Sequence, residues 1–178
     1  MKIERCKNTG FTLIELLVSV LIVAILVAIT TSSYRGIVAR QALQDNSERL
    51  FYFLQLAKTE SVKLNEKVYV HFCQFENSTK WDMAMTTFPA CDCFTADSCL
   101  LNGTEKIQEL TDGKVLVASA SDITFSGKQA SYSPMRFSVN AGSVRLTNSQ
   151  GQKLKVIQST MRLRICSPDK AQLGYGKC

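Results

Sequence analysis

A continuous apolar run from Phe11 to Ile29, with one carboxylate set inside it at Glu15, constrains this chain more than any other feature. Nineteen residues of helix (11 to 29 inclusive) span roughly 28 Å, close to the ~30 Å hydrocarbon core of a bilayer. The residues before it carry Lys2, Arg5 and Lys7 against Glu4, and end on a glycine, Gly10. Positive flanks stay in the cytoplasm, so the expected topology is a cytoplasmic N-terminus and an external remainder. An ordinary secretory signal has its small-residue cleavage site after the apolar run, which is then discarded. Here the break precedes the run, so a cut between Gly10 and Phe11 leaves a mature chain that begins with its apolar segment. Glu15 is costly in that setting, because a carboxylate at bilayer depth costs a few kcal/mol even on lenient scales.

The stretch Lys7-Asn8-Thr9-Gly10-Phe11-Thr12-Leu13-Ile14-Glu15-Leu16 closely resembles the class III signal of type IV pilins and type II secretion pseudopilins. The resemblance implies cleavage after Gly10 by a prepilin peptidase and N-methylation of Phe11. It also implies that Glu15 neutralises the N-terminal amine of a neighbouring subunit inside a fibre. Phe11 and Glu15 are four residues apart, so both fall on one side of a helix.

Helical spacing continues past the apolar run through Ala39, Leu43, Asn46, Leu50, Phe53, Leu54, Ala57, Ser61 and Leu64. One long helix is expected from about Thr9 to Leu64, softened near Ser32 to Gly36 by weak helix formers. After Asn65 the period changes to two. Strands are expected over 67–73, 81–86, 114–118, 123–125, 135–139, 143–146, 153–157 and 161–165. The breaks Asn-Ala-Gly (140–142) and Asn-Ser-Gln-Gly (148–151) read as antiparallel turns. The fold class is therefore α+β, a long transmembrane and amphipathic helix followed by an antiparallel β-rich globular domain of pilin type. The expected division is a leader at 1–10, a helix at 11–64 with its membrane part at 11–29, and a periplasmic domain at 65–178.

Residues 50–62 resemble the segment of FimT/GspH-type minor pilins in which a helix ends in a small residue, a base and then Ser/Thr-Glu. A strand ending in Cys73 follows, and Arg162-Leu163-Arg164-Ile165-Cys166 resembles the last strand of those proteins.

Seven cysteines are present. Cys6 precedes the cut, leaving Cys73, Cys91, Cys93, Cys99, Cys166 and Cys178 in the mature chain. An even set outside the membrane reads as disulfides. Cys166 and Cys178 bracket a loop with Pro168, Gly174 and Gly176. Joining them would hold the tail to the last strand and remove unfolded-state entropy worth ~3 kcal/mol. Cys91 and Cys93 are too close to suit each other, which leaves two pairings open for the other four. Cys91-Asp92-Cys93 lacks paired metal-ligand spacing, and no metal or cofactor is expected.

The formal charge of +6 hides a division. From 11 to 122 there are 9 bases and 13 acids, net −4; from 123 to 178 there are 9 bases and 1 acid, net +8. Lys153 with Lys155, and Arg162 with Arg164, fall on common strand faces. These four are candidate contacts for a phosphate backbone. Some FimT-like pilins receive DNA through a C-terminal Gly-Arg-x-Arg motif; this chain has Met161 in the glycine position. No enzyme is indicated. His71 lies in an alternating strand, Trp81, Met83 and Met85 alternate likewise, and there is no phosphate loop or nucleophile elbow. The reading is a minor pilin or pseudopilin with three expected partners: prepilin peptidase, the inner membrane and other pilin subunits. It serves a type IV pilus, with a type II secretion pseudopilin H or a DNA-binding minor pilin for natural transformation as alternatives.

Overall fold

The computed structural model describes residues 11–178 except 77, 112, 118, 135–138 and 161, and for 29–33 it describes the backbone alone. Helix α1 runs over Leu13–Leu64. It opens on Thr12, whose carbonyl accepts the N–H groups of Glu15 at 3.1 Å and Leu16 at 3.2 Å. It closes on Asn65, at φ 53°. There the Asn65 N–H donates to Val62 C=O and the Glu66 N–H to Ser61 C=O, a Schellman ending. The Thr-Thr-Ser-Ser segment and Gly36 do not interrupt the helix. Two compact units divide within it, one up to Ile37 and one from Val38 to Cys178. Among the described residues no helix is long and apolar enough to cross a membrane. Within the expected span, the described helical side chains run from Leu13 to Ala28.

The second unit holds two antiparallel sheets. The first has the order β3-β4-β2-β1-β6, from β1 (Val68–Gln74), β2 (Trp81–Thr86), β3 (Leu100–Leu101), β4 (Thr104–Glu109) and β6 (Gln129–Tyr132). The second has the order β5-β7-β8-β9, from β5 (Val115–Leu116), β7 (Gly142–Asn148), β8 (Lys153–Gln158) and β9 (Leu163–Cys166). One core joins them to the helix. Leu43, Leu50, Leu54 and Ala57 of α1 pack with Val68, Val70, Trp81, Met83 and Met85 of the first sheet, and with Val144, Leu146, Leu154 and Val156 of the second. Asn148 sets the β7–β8 turn: its Oδ1 accepts the N–H groups of Gln150 and Gln152. Its Nδ2 donates to the Ala39 carbonyl at 3.1 Å, which ties the turn to the helix.

The strands expected at 67–73, 81–86, 143–146 and 153–157 are present as β1, β2, β7 and β8. The expected strand at 114–118 contracts to the two residues of β5. The expected strand at 123–125 is not formed. Ile123 makes a single bridge to Val144 between two short 3-10 turns. The cause is local: Asp122 Oδ2 accepts the Ser119 N–H, and Gly127 turns the chain at φ 64°. The expected strand at 135–139 lies outside the described residues apart from Val139, which bridges Tyr132. Gly142 opens β7 where a Cβ would overlap the Phe125 ring. The hairpin β3–β4 and strand β6 are additions to the sequence reading.

Candidate functional site

Three surfaces concentrate the residues singled out by the sequence. The first is the apolar part of the helix in the first unit. Every described side chain from Phe11 to Ala28 is exposed, with Phe11 at 77% and Leu13 at 79%. An apolar surface of that extent requires a cover. Glu15 sits in the first turn, where a carboxylate complements the helix dipole. The Ser19 hydroxyl donates to the Glu15 carbonyl at 2.7 Å. Gly10, the other half of the expected cleavage site, lies outside the described residues.

The second surface is a cystine-bound lobe on the outer face of the first sheet. Cys73 is bonded to Cys93, and Cys91 to Cys99. Cys93 and Cys99 pack on Ala84 of β2, so the segment carrying them covers a sheet face that strand alternation would leave to solvent. Asp92 organises this segment. Its carboxylate accepts the Phe94 N–H at 3.0 Å and the Thr95 hydroxyl at 2.8 Å, and those bonds hold its pKa below the usual carboxylate value. Asp82, beside Cys73 across β1–β2, is pushed the other way, first by burial and then by the Glu109 charge opposite it. His71 contacts the Phe88 carbonyl through Nε2 at 3.3 Å. A carbonyl only accepts, so Nε2 carries the proton. Burial lowers the His71 pKa, more than the Phe88 carbonyl raises it.

The third surface is the outer face of the second sheet. Register places Arg145 opposite Lys155, Thr147 opposite Lys153 and Ile157 opposite Arg164, so Arg145, Lys153, Lys155 and Arg164 share one face. The other face carries Val144, Leu146, Leu154 and Val156 into the core. Arg162 is exposed but precedes β9, its carbonyl accepting the Ser159 N–H in the β8–β9 turn. Arg145 Nη1 donates to Asp122 Oδ1 at 2.9 Å, and Asp122 is buried, so this charge is partly neutralised within the chain. The tail borders the same sheet. Cys166 is bonded to Cys178, and Gln172 Nε2 donates to the Lys153 carbonyl at 2.8 Å. The tail also grips the helix, where Gln44 Nε2 donates to Leu173 C=O and the Tyr175 hydroxyl donates to Glu48 at 2.7 Å. Burial and that carboxylate push the Tyr175 hydroxyl up to about 12.

Among the described residues no group of three or more His, Cys, Asp or Glu side chains is placed to hold a metal ion. Sequence reasoning did not single out Asp122, Tyr175, Phe75 or Phe94. Phe75 and Phe94 had a signal, since each lies within two residues of a cysteine in the Cys73–Cys93 pair.

An exposed apolar helix, a two-sheet domain and cystine-held loops are the features of a structural subunit. Residues 5–31 match the family model of the prokaryotic N-terminal methylation motif, and residues 46–168 match that of the type II transport protein GspH. The second match covers more than half of the chain, and the chain belongs to the GspH family of pilin-like structural subunits. That family implies assembly with other pilin subunits after prepilin peptidase processing. No curated protein matches the chain. Among solved structures it is similar to the type IV minor pilin FimU of Pseudomonas aeruginosa PAO1. That similarity is 11% identity over 70% of this chain and 94% of that one, with a TM-score of 0.42.

Proposed function

We propose that this chain is a minor subunit of a type IV pilus, cut between Gly10 and Phe11, N-methylated at Phe11 and held in the inner membrane through 11–29 until it assembles. The supporting observation is the exposed apolar helix surface with Glu15 in its first turn. Lipid covers that surface before assembly and neighbouring helices cover it afterwards. In the fibre, Glu15 pairs with the free amine of an adjacent subunit in a dry environment, where an unpaired charge is strongly disfavoured. Mass spectrometry of the mature chain is expected to give N-methylated Phe11, and Gly10→Val to leave the leader attached. Glu15→Val is expected to leave membrane insertion intact and remove the chain from purified filaments. Normal incorporation of that variant overturns the assignment of Glu15. Deletion of the gene separates two systems. Loss of surface pili supports the pilus reading, whereas intact pili with exported proteins retained in the periplasm supports a type II secretion pseudopilin.

A second reading is favoured by the shared face of Lys153, Lys155 and Arg164, with exposed Arg162 beside it. Bases on one flat face suit a phosphate backbone, and such binding is insensitive to sequence and steeply dependent on salt. Four phosphate contacts give a log–log salt slope of about −3.6 on duplex DNA, and Arg162→Gln with Arg164→Gln reduces its magnitude by about 2. Fluorescence anisotropy of the full chain in micelles with labelled duplex at several salt concentrations measures it. No binding at low salt removes this reading and leaves the first untouched.

A further inference from the structure

A cleft of about 710 Å³ lies in the cystine-bound lobe. Phe75 and Phe94 line it, in edge-to-face contact at 5.1 Å between centroids and 88° between planes. Both rings remain open to solvent, Phe75 at 53% exposure and Phe94 at 42%. The backbone on either side of them is tied down. The Cys73–Cys93 bond joins the two segments that carry the rings. The Phe75 N–H donates to Lys80 C=O, and the Ser78 N–H to Phe75 C=O. Asp92 fixes the Phe94 backbone from the other side. Rings that served only to fill the core would turn inward. A half-exposed aromatic pair on a disulfide-tied backbone is one way a protein presents an anchor.

The wall of the cleft identifies the occupant's chemistry. Glu76 and Asp92 line it beside the rings, and no base does among the residues that line it. Aromatic faces flanked by carboxylates suit an ammonium or guanidinium on an aliphatic stem, which gains cation–π attraction and charge pairing together. This chain carries such a partner on its other sheet, where Lys153, Lys155 and Arg164 share one outward face. We infer that the Phe75–Phe94 cleft of one molecule receives the Lys153–Lys155–Arg164 face of a second copy of this chain. Two different patches meeting in this way make a heterologous contact, so one copy seats a second without either patch being self-complementary. The inference deepens the assembling-subunit reading and rests on it.

The test uses the full chain purified in detergent micelles, with Phe94→p-benzoylphenylalanine as a photo-crosslinker. The expected product is a cross-linked pair whose adduct maps to residues 153–164 of the second copy. Lys153→Glu with Lys155→Glu is expected to cut its yield by about tenfold, as opposite charges become like charges across the contact. Mixing that variant with a chain carrying the crosslinker and Glu76→Lys restores the yield, which separates lost complementarity from lost folding. No adduct, an adduct mapping elsewhere, or a yield indifferent to these charge changes overturns the inference. So does capture of a different protein, with no second copy, when the same crosslinker is used in cells. Filament incorporation is scored separately. A chain that enters filaments without the adduct sinks this contact alone, and a chain that gives the adduct but never enters filaments sinks the pilus reading.

Discussion

The two sheets of the second unit solve the same problem differently. The second sheet is an alternating one. In β7 and β8, Val144, Leu146, Leu154 and Val156 face the core, while Arg145, Lys153 and Lys155 face out. The first sheet is covered on both sides at its centre. Val70, Phe72, Met83 and Met85 face the helix, yet Ala84 and His71 on the reverse face are also buried. The cover is the cystine-bound segment, which has only a small apolar cluster of its own around Cys93 and Cys99. A short segment with so little core cannot offset its own ordering entropy by burial, and two disulfides offset it instead. The difference teaches that one sheet is held by its hydrophobic pattern, and the other by that pattern plus covalent staples.

The most severe way to break the comparison is to attack what the sheets share. Leu154 is fully buried on β8 and belongs to the same core as Trp81 on β2. Leu154→Ala is expected to destabilise the whole unit by about 2–5 kcal/mol. Trp81 is the chain's one tryptophan and reports from the first sheet. Denaturant unfolding followed by its fluorescence and by circular dichroism is expected to give one shifted transition. Separate transitions would mean that the sheets do not share a cooperative core.

Removing a staple tests the contrast itself. Cys73→Ser with Cys93→Ser frees a loop of 20 residues' separation and is expected to cost about 3 kcal/mol. Hydrogen exchange is expected to accelerate at β1 and β2 and to change little at β7 and β8. Equal acceleration in both sheets would erase the distinction drawn here.

The same contrast explains what the sequence revealed. Strands β7 and β8 were legible because alternation mirrors a sheet with one wet face, and Asn148 and Gly151 marked their turn. The long helix was legible from its spacing, and its end at Leu64 from Asn65. Strand β4 was not, since Thr104–Glu109 is exposed at nearly every position and so carries no apolar period. Its turn signal, Asn102-Gly103, was present, and both residues adopt positive φ, 51° and 74°. The burial of His71 was illegible because the covering segment is fixed by cysteine pairing, and sequence left that pairing open between two choices. The basic face was legible as a charge count, whereas the neutralisation of Arg145 by Asp122 depends on the Ala120–Asp122 turn, which fell between two expected strands.

A smaller effect is expected at the edge of the first sheet. Asn140 presses its side-chain amide against β6 as a strand would. Its Oδ1 accepts the Ser131 N–H and its Nδ2 donates to the Gln129 carbonyl, each at 2.6 Å. Asn140→Ala removes both bonds and is expected to cost about 1–2 kcal/mol. It also bares a strand edge, so concentration-dependent association is expected to rise. A variant as stable and as monodisperse as the parent would show that the edge is protected by other means.

The smallest expected effect sharpens the comparison through pH. His71 lies on the covered face of the first sheet, and burial lowers its pKa from 6.5. The unfolded chain therefore takes up the proton at a higher pH than the folded one. The neutral-imidazole contribution to stability is complete above about 6.5 and is lost as pH falls through that value toward the folded pKa. Asp82 acts in the opposite sense and further into acid. Its raised pKa means that the folded state gains a proton first, so acidification through the carboxylate range favours folding. His71→Gln keeps a donor for the Phe88 carbonyl and removes the imidazole titration. Unfolding midpoints of parent and variant, compared a pH unit above and a pH unit below 6.5, isolate the histidine because Asp82 is common to both. The parent is expected to lose more stability across that interval than the variant. Equal losses would mean that the cystine-bound cover lets water reach His71, and that the first sheet is as open on its reverse face as the second.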